Sequence, residues 1–390
     1  MKVGVDATVW QNKRGYGRHA RALLSTLLPL DTDNQYVFFL DSNEDLDSIP
    51  SQAKIQLVQA SVPTSEAASA SGHRSLADMW RISQAMADAS LDILWFPTIY
   101  SYVPVLSRAR KIVMIHDIIA EKYPQFTLPS GSARLFWRAK VAAGRFQAQA
   151  IATVSEFSRQ QIVEYFKIPP EKVHVVGEAS DPTFRQIACA DLTPNLKSLD
   201  LSADQRLVVF VGGFGPHKNL EMLLRVFNRL AGENQYADLR LVMVGEYRKE
   251  VFYSAIGALQ EQVQQGGMLD KVVFTGYLPD EELVVLLNLA AVLALPSFME
   301  GFGLPAVEAA ACGCPVVATT ASPLPELLGE AGRFCDPQDE SGFEESLRQV
   351  LDSVELRQQM GQAGIKAAGA LTWDAAARQM QALLQKVAQA

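Results

Sequence analysis

Short runs of Val, Ile, Leu and Phe recur along this chain, each bounded by Gly, Pro, Asp or Ser and separated by longer stretches of helical periodicity. In the first half they are Lys2 to Val9, Tyr36 to Leu40, Ile55 to Val58, Ile93 to Phe96, Lys111 to His116, Ile151 to Val154 and Val173 to Val176. In the second half they are Leu207 to Val211, Leu239 to Val244, Val272 to Thr275, Val292 to Leu295 and Val316 to Ala318. These runs are apolar without alternation, so both faces of each strand must be buried, as happens when helices cover a parallel sheet on both sides. The pattern predicts an α/β chain built on doubly wound parallel sheets.

At 390 residues the chain is longer than one hydrophobic core usually organises. The polar stretch Cys189 to Asp204 contains Pro194 and precedes a fresh strand, which places a linker there and gives domains 1–190 and 205–390. A final helix over 373–387 can pack on either domain. Residues Ser61 to Gly72 are rich in Ser and Ala and read as a loop.

Composition excludes several functions. A formal net charge of −8 opposes general nucleic-acid binding, which requires clustered Lys and Arg. The start, Met1 to Asp6, lacks the apolar run of a secretory leader, so a cytoplasmic protein is expected. The longest greasy stretch, Leu283 to Leu295, is interrupted by Asn288 and falls short of the roughly 20 residues that cross a bilayer. Cys189, Cys312, Cys314 and Cys335 lack the Cys/His spacing of a zinc site and read as reduced core thiols. No metal ligand set and no cofactor are expected.

Ligands of open parallel sheets bind beyond the carboxyl ends of strands, so the chemistry is sought there. The stretch Leu295 to Glu308 ends a strand and opens a helix, with Pro305 suited to its first turn. The amides of Gly301, Phe302, Gly303 and Leu304 would face an anion, with the positive end of the helix dipole behind them. Glu300 and Glu308, the latter placed in the first turn, bracket those amides, a combination that suits a phosphorylated polyol. Either Glu alone would read as a helix cap or a first-turn acid.

A second glycine turn, Val211 to Leu220, ends in Lys218. The Walker pattern needs Gly before the Lys and Ser or Thr after it, but His217 and Asn219 stand there, so an ATPase is excluded. Gly15 and Gly17, with Ala20, match the G-x-G-x-x-A dinucleotide fingerprint; Trp10 to Arg14 make that turn too long for it. His116 and Asp117 follow a strand, and by itself a strand-end His is often only structural. Asp31-Thr32-Asp33 and Asp45-Leu46-Asp47 lie in polar connections and read as turns rather than as metal-binding pairs.

The segment from Glu300 to Glu308, continued through Ala309 to Ala318, resembles the E-x7-E region of retaining family 4 glycosyltransferases. That resemblance implies a GT-B architecture, two Rossmann-like domains facing a central cleft, with the acceptor on the first and the nucleotide sugar on the second. It implies that Glu300 contacts donor-sugar hydroxyls and Glu308 the ribose, that Lys218 stabilises the departing diphosphate, and that His116 lies beside the sugar. Gly15 and Gly17 would form the flexible N-terminal loop, Gly213 the phosphate turn, and Gly276 to Asp280, with Tyr277, the nucleobase turn. Many members carry Arg where this chain has Gly213, which leaves Lys13, Arg14, Arg18 and His217 as candidates for a second cation. Thr153 to Ser158 matches a further family element, with Ser155 as a helix cap.

The implied reaction moves a hexose, with retention, from a GDP-mannose or UDP-glucose type donor to a hydroxyl of a glycan, glycolipid or lipid-linked acceptor, without metal. Two alternatives are an NAD-dependent oxidoreductase resting on Gly15 and Gly17, and a non-catalytic nucleotide-sugar-binding protein. Residues 131–150 mix Arg134, Arg138, Lys140 and Arg145 with Phe136, Trp137 and Phe146. They read either as an interfacial helix for peripheral association with the cytosolic face of the inner membrane, or as core aromatics with a solvated cationic face; the need to pack on a sheet favours the second.

Overall fold

The computed structural model describes every residue except 13–14, 62–63, 65–74, 129, 189–190, 203, 248–253 and 390. Most of the loop expected over Ser61 to Gly72 therefore lies outside the described residues. Two compact units result, Met1–Glu178 with Thr372–Ala390, and Ala179–Leu371.

In the first unit the strands are β1 (Lys2–Asp6), β2 (Gln35–Leu40), β3 (Ala53–Leu57), β4 (Ile93–Phe96), β5 (Arg110–Met114), β6 (Ala148–Thr153) and β7 (Val173–Val175). They pair in parallel in the order β3-β2-β1-β4-β5-β6-β7. The order reverses between β1 and β4, which opens a crevice beyond their carboxyl ends. The unalternating runs are buried as expected, Val3, Val5, Phe38, Trp95, Ile112 and Ile151 having no exposed surface, except in the edge strand β3, where Ile55 and Leu57 are exposed. β1 is shorter than its apolar run because the chain turns after Asp6, whose Oδ1 accepts from Thr8 Oγ1 at 2.6 Å.

The helices between these strands are α1 (Gly15–Leu30), α2 (Leu76–Asp88), α3 (Gly131–Gln147) and α4 (Glu156–Phe166). Ser155 caps α4, accepting from Ser158 N at 3.0 Å. Helix α3 departs in part from the reading of core aromatics. Trp137 is core, but Leu135, Phe136 and Phe146 are exposed, and Lys140 Nζ is held by the Tyr100 carbonyl.

The second unit holds β8 (Arg206–Val211), β9 (Leu239–Val244), β10 (Val272–Gly276), β11 (Val292–Leu295), β12 (Val316–Thr319) and β13 (Gly332–Cys335), all parallel in the order β10-β9-β8-β11-β12-β13. Its switch point lies between β8 and β11. The main helices are α5 (Leu220–Ala231), α6 (Ile256–Gln265), α7 (Asp280–Leu289), α8 (Leu304–Ala311), α9 (Glu340–Asp352) and α10 (Val354–Gly369). β13 has no counterpart among the expected strands: it opens on Gly, is four residues long, and three of its residues are half-buried.

The partition differs from the expected boundaries at both ends of the second domain. Residues 179–190 join the second unit, where Ile187 N donates to Asn288 Oδ1 at 2.9 Å, so the chain changes unit after Glu178 rather than within 189–204. The C-terminal helix Trp373–Gln389 joins the first unit and packs its apolar stripe, Ala376, Ala377, Met380, Leu384 and Val387, against α1. Among the described residues no helix is long and apolar enough to cross a membrane.

Candidate active site

The donor-side residues gather at the switch point of the second sheet. Just past β8, the Gly212 carbonyl runs so close to Gly245 that a Cβ there would lie 2.0 Å from the oxygen. Only glycine lets the ends of β8 and β9 run on together. The chain then makes a single 3-10 turn, Pro216–Lys218, and Asn219 takes the left-handed conformation at φ 56°. Its side-chain amide donates to the carbonyls of Pro296 at 3.2 Å and Pro337 at 3.0 Å, which offsets the strain.

This turn is tied to the loop after β11. Phe298 N donates to the His217 carbonyl at 2.9 Å. Lys218 Nζ donates to Glu300 Oε1 at 2.7 Å, and Ser297 Oγ donates to the same oxygen at 2.5 Å. The side chains of Lys218 and Glu300 are 16% and 9% exposed. A cation and a carboxylate from the two strands flanking the switch point are thus brought together, 82 residues apart in sequence.

Gly303, at φ 84°, caps the start of α8; a Cβ on it would meet Leu324 side-chain atoms at 2.9 Å. The amides of Phe302 and Gly303 make no hydrogen bond among the described residues, and Leu304 N opens α8 without an intrahelical partner. Glu308 is the fifth residue of α8, not a first-turn residue as the sequence suggested, because the helix begins at Leu304. It is 2% exposed, and its charge adds to the burial that pushes the Cys312 thiol up to about 12.

Of the candidates for a second cation, His217 is ruled out: burial, then the neighbouring Lys218 charge, hold its imidazole down to about 3 and therefore neutral. Lys13 and Arg14 lie outside the described residues, and Arg18 belongs to the first unit. Gly213 has nothing within 4 Å of where a Cβ would stand, so a larger residue has room there. Gly276 takes φ 74° at the end of β10 and its carbonyl accepts from Gly245 N at 3.1 Å, while the Tyr277 ring projects into solvent at 58% exposure.

In the first unit Gly17 lies buried against the preceding loop; a Cβ would stand 1.9 Å from the Asn12 carbonyl oxygen. Gly15 is open. Eight residues separate β1 from α1, so the turn lacks the direct strand-to-glycine closure of a dinucleotide fingerprint. His116 stands just beyond β5, and Asp117 supports the loop by accepting from Ile119 N at 2.9 Å.

The His116 ring meets His19 of α1 edge to face, centroids 5.1 Å apart, and His19 in turn meets Trp373 at 5.6 Å. Neither imidazole makes a hydrogen bond among the described residues. Burial lowers His116 to about 4; burial first, then His116, lower His19, with the Gly177 backbone opposing. Both rings stay neutral. Sequence reasoning passed over His19, although a polar residue beside the apolar stripe Ala20, Leu23, Leu24 and Leu27 was a usable signal.

The acidic pairs read as turns serve structure. Asp31 Oδ2 accepts from Tyr36 Oη at 2.5 Å and Asn34 Nδ2 at 2.7 Å, and Asp45 occupies the left-handed region before a 3-10 turn. Cys312 and Cys314 are buried thiols and Cys335 is half-buried; Cys189 lies outside the described residues.

Comparison with known proteins agrees with this geometry. Residues 193–367 match the family described as Glycosyl transferases group 1, and residues 14–184 match Glycosyltransferase Family 4. Among curated relatives, O-antigen chain mannosyltransferase B of Escherichia coli is 29% identical over 68% of this chain and 67% of its own length. D-inositol 3-phosphate glycosyltransferase of Corynebacterium diphtheriae is 30% identical over 57% of this chain, but the match spans only about half, 52%, of that relative. The crystal structure of Anabaena Alr3699/HepE in complex with UDP-glucose shares the fold at TM-score 0.73 and 16% identity, covering 99% of both chains. Two parallel-sheet units, with a buried Lys–Glu pair and a second Glu at the switch point of the second, and family matches over both halves leave one assignment: the chain belongs to the group 1, family 4 glycosyltransferases of GT-B fold.

Proposed function

We propose that this protein is a retaining, metal-independent hexosyltransferase that uses a nucleotide-diphosphate sugar of the GDP-mannose or UDP-glucose type and a hydroxyl of a glycan, glycolipid or lipid-linked acceptor. The observation that carries the reading is the Lys218–Glu300 pair beside the open amides of Phe302 and Gly303. An ammonium has three donors and Glu300 occupies one, which leaves Lys218 able to take a β-phosphate oxygen. Amides and lysine together stabilise the charge that grows on the leaving diphosphate. Glu300 keeps its second oxygen for sugar hydroxyls, and Glu308 serves the ribose. Because burial makes the His116 imidazole a weak base, the acceptor proton passes to the leaving phosphate on the same face, which retains the anomeric configuration.

The mannosyltransferase relative favours a mannose donor, and the UDP-glucose complex of the structural neighbour keeps the uridine alternative in play. The test is calorimetric titration with GDP-mannose and UDP-glucose, followed by proton NMR of the sugar transferred or released, with and without EDTA. Binding of one donor, α-configured product and indifference to EDTA are expected. A β-configured product refutes retention, loss of turnover in EDTA refutes metal independence, and binding of neither donor refutes the donor class.

A further inference from the structure

A pocket of about 230 Å³ opens in the first unit along helix α3, closed by the helical turns Ile119–Lys122 and Pro124–Thr127 and by the end of α4. Three guanidinium groups line it, from Arg134, Arg138 and Arg145. With Val141 they stand at i, i+4, i+7 and i+11, so they share one stripe about 60° wide, while exposed Phe136 points to the opposite side. In a chain of net charge −8 this stripe is a local departure. Its Arg145 end lies next to Ala148, where β6 begins, at the end of the strands opposite His116.

The arginines have donors to spare. Arg145 lies over the Phe166 ring at 4.0 Å, and its buried Nε has no hydrogen-bond partner. Arg138 makes no hydrogen bond among the described residues, and Arg134 uses only Nε, to the Leu128 carbonyl at 3.0 Å. Across the pocket, Glu121 Oε1 accepts from Trp137 Nε1 at 2.8 Å, and no ion pair joins Glu121 to Arg145 among the described residues. Burial lifts the Glu121 carboxyl to about 7 and Asp117 adds to the rise, against the Trp137 N–H and Arg145. The space between carboxyl and guanidinium is thus walled by aromatic rings, with donors on one side and an acceptor on the other.

We propose that this pocket binds a negatively charged monosaccharide unit, phosphorylated or carboxylated, with Arg138 and Arg145 taking the anion, Glu121 the hydroxyls, and Trp137 and Tyr165 the apolar face of the ring. Its volume falls below the roughly 300 Å³ at which pockets for whole drug-sized ligands begin, which suits one sugar and excludes a nucleotide or an oligosaccharide. The proposal does not depend on the donor assignment.

The full-length protein, saturated with GDP and UDP to occupy the donor site, is titrated by calorimetry with glucose 6-phosphate, glucuronate, inorganic phosphate and methyl α-glucoside. Saturable binding of the first two, at least about tenfold tighter than of inorganic phosphate or the neutral glucoside, is expected. Arg145→Gln and Arg138→Gln should each weaken it about tenfold, and the exposed position of Arg138 guards against a result caused by misfolding. Equal binding of methyl α-glucoside or of inorganic phosphate overturns the proposal. So does unchanged affinity in the Arg138→Gln variant, or binding that appears only with phosphatidylglycerol vesicles and not with soluble sugar acids.

Discussion

Replacing Lys218 with Met leaves Glu300 with Ser297 as its remaining hydrogen-bond donor, in a site where the carboxylate residue is 7% exposed. Breaking a buried ion pair by removing one partner costs about 3–5 kcal/mol. Lys218 retains some solvent contact and Ser297 stays in place, so about 2–3 kcal/mol is expected here. Glu300→Gln should cost a similar amount by stranding Lys218, whereas the double variant removes both charges and should lie within about 1 kcal/mol of wild type. The cycle then yields a coupling energy of at least about 3 kcal/mol in magnitude. Because the two units need not unfold together, stability is read by hydrogen exchange at the amides of β8 and β11 rather than from one global melt. Turnover separates structure from chemistry. Losing one preorganised donor at a developing oxyanion costs about a hundredfold or more in kcat, so Lys218→Met and the double variant should both be nearly inactive, with little change in donor KM. Additive stability effects, within about 0.5 kcal/mol, refute the coupling, and recovery of turnover in the double variant refutes the transition-state role of Lys218.

Glu308→Gln should weaken nucleotide binding by about 1.5–3 kcal/mol in calorimetry if its charged hydrogen bonds hold the ribose, and unchanged affinity removes it from the site. His116→Ala should lower turnover while free-nucleotide affinity stays at the wild-type value; a parallel fall in both contradicts its place beside the sugar. Gly213→Arg has open space for its side chain and should change stability by no more than about 0.5 kcal/mol while tightening nucleoside-diphosphate binding; weaker binding means the missing cation comes from elsewhere. For pH, His116 falls from 6.5 unfolded to about 4 folded, so the unfolded chain binds more protons in that window and stability is lost as pH drops from about 6.5 towards 4, by on the order of 3 kcal/mol. His19 and His217 act in the same direction, and Glu121, raised to about 7, acts in the opposite one, so the net effect is acid destabilisation. Thermal midpoints from pH 7.5 to 4.5 should fall, and less steeply for His116→Asn; equal slopes refute the assignment.

Twelve of the thirteen strands were legible, most of them because a parallel strand buried on both faces must be apolar throughout; β3 was legible from Ile55 and Leu57 although both are exposed. β13 escaped because its four residues, Gly332 to Cys335, carry little apolar content: it lies at a sheet edge and three of the four are only half-buried. The placement of Glu300, Glu308, Lys218 and the glycine turns at strand ends was likewise readable, from the strand-to-helix boundaries around them. The register of α8 was not, and Glu308 moved from the first turn to the second, because where a helix starts depends on the left-handed Gly303 and not on the position of Pro305 alone.

Three features were decided by tertiary structure. An amphipathic pattern says that the C-terminal helix buries Ala377, Met380 and Leu384, but not which surface they meet; the complementary stripe of α1 settled that. Side-chain charge was equally invisible: His217 carries a titratable ring in any sequence, and only its burial beside Lys218 keeps it neutral well below the ordinary imidazole range. The meeting of His19, His116 and Trp373, and the arginine-lined pocket on α3, join residues distant along the chain. Sequence by itself determined the elements and the local chemistry, because propensity, burial pattern and motif act over a few residues. Only the packed structure determined partners and the direction in which buried groups titrate, because those depend on distances and desolvation that no local pattern encodes.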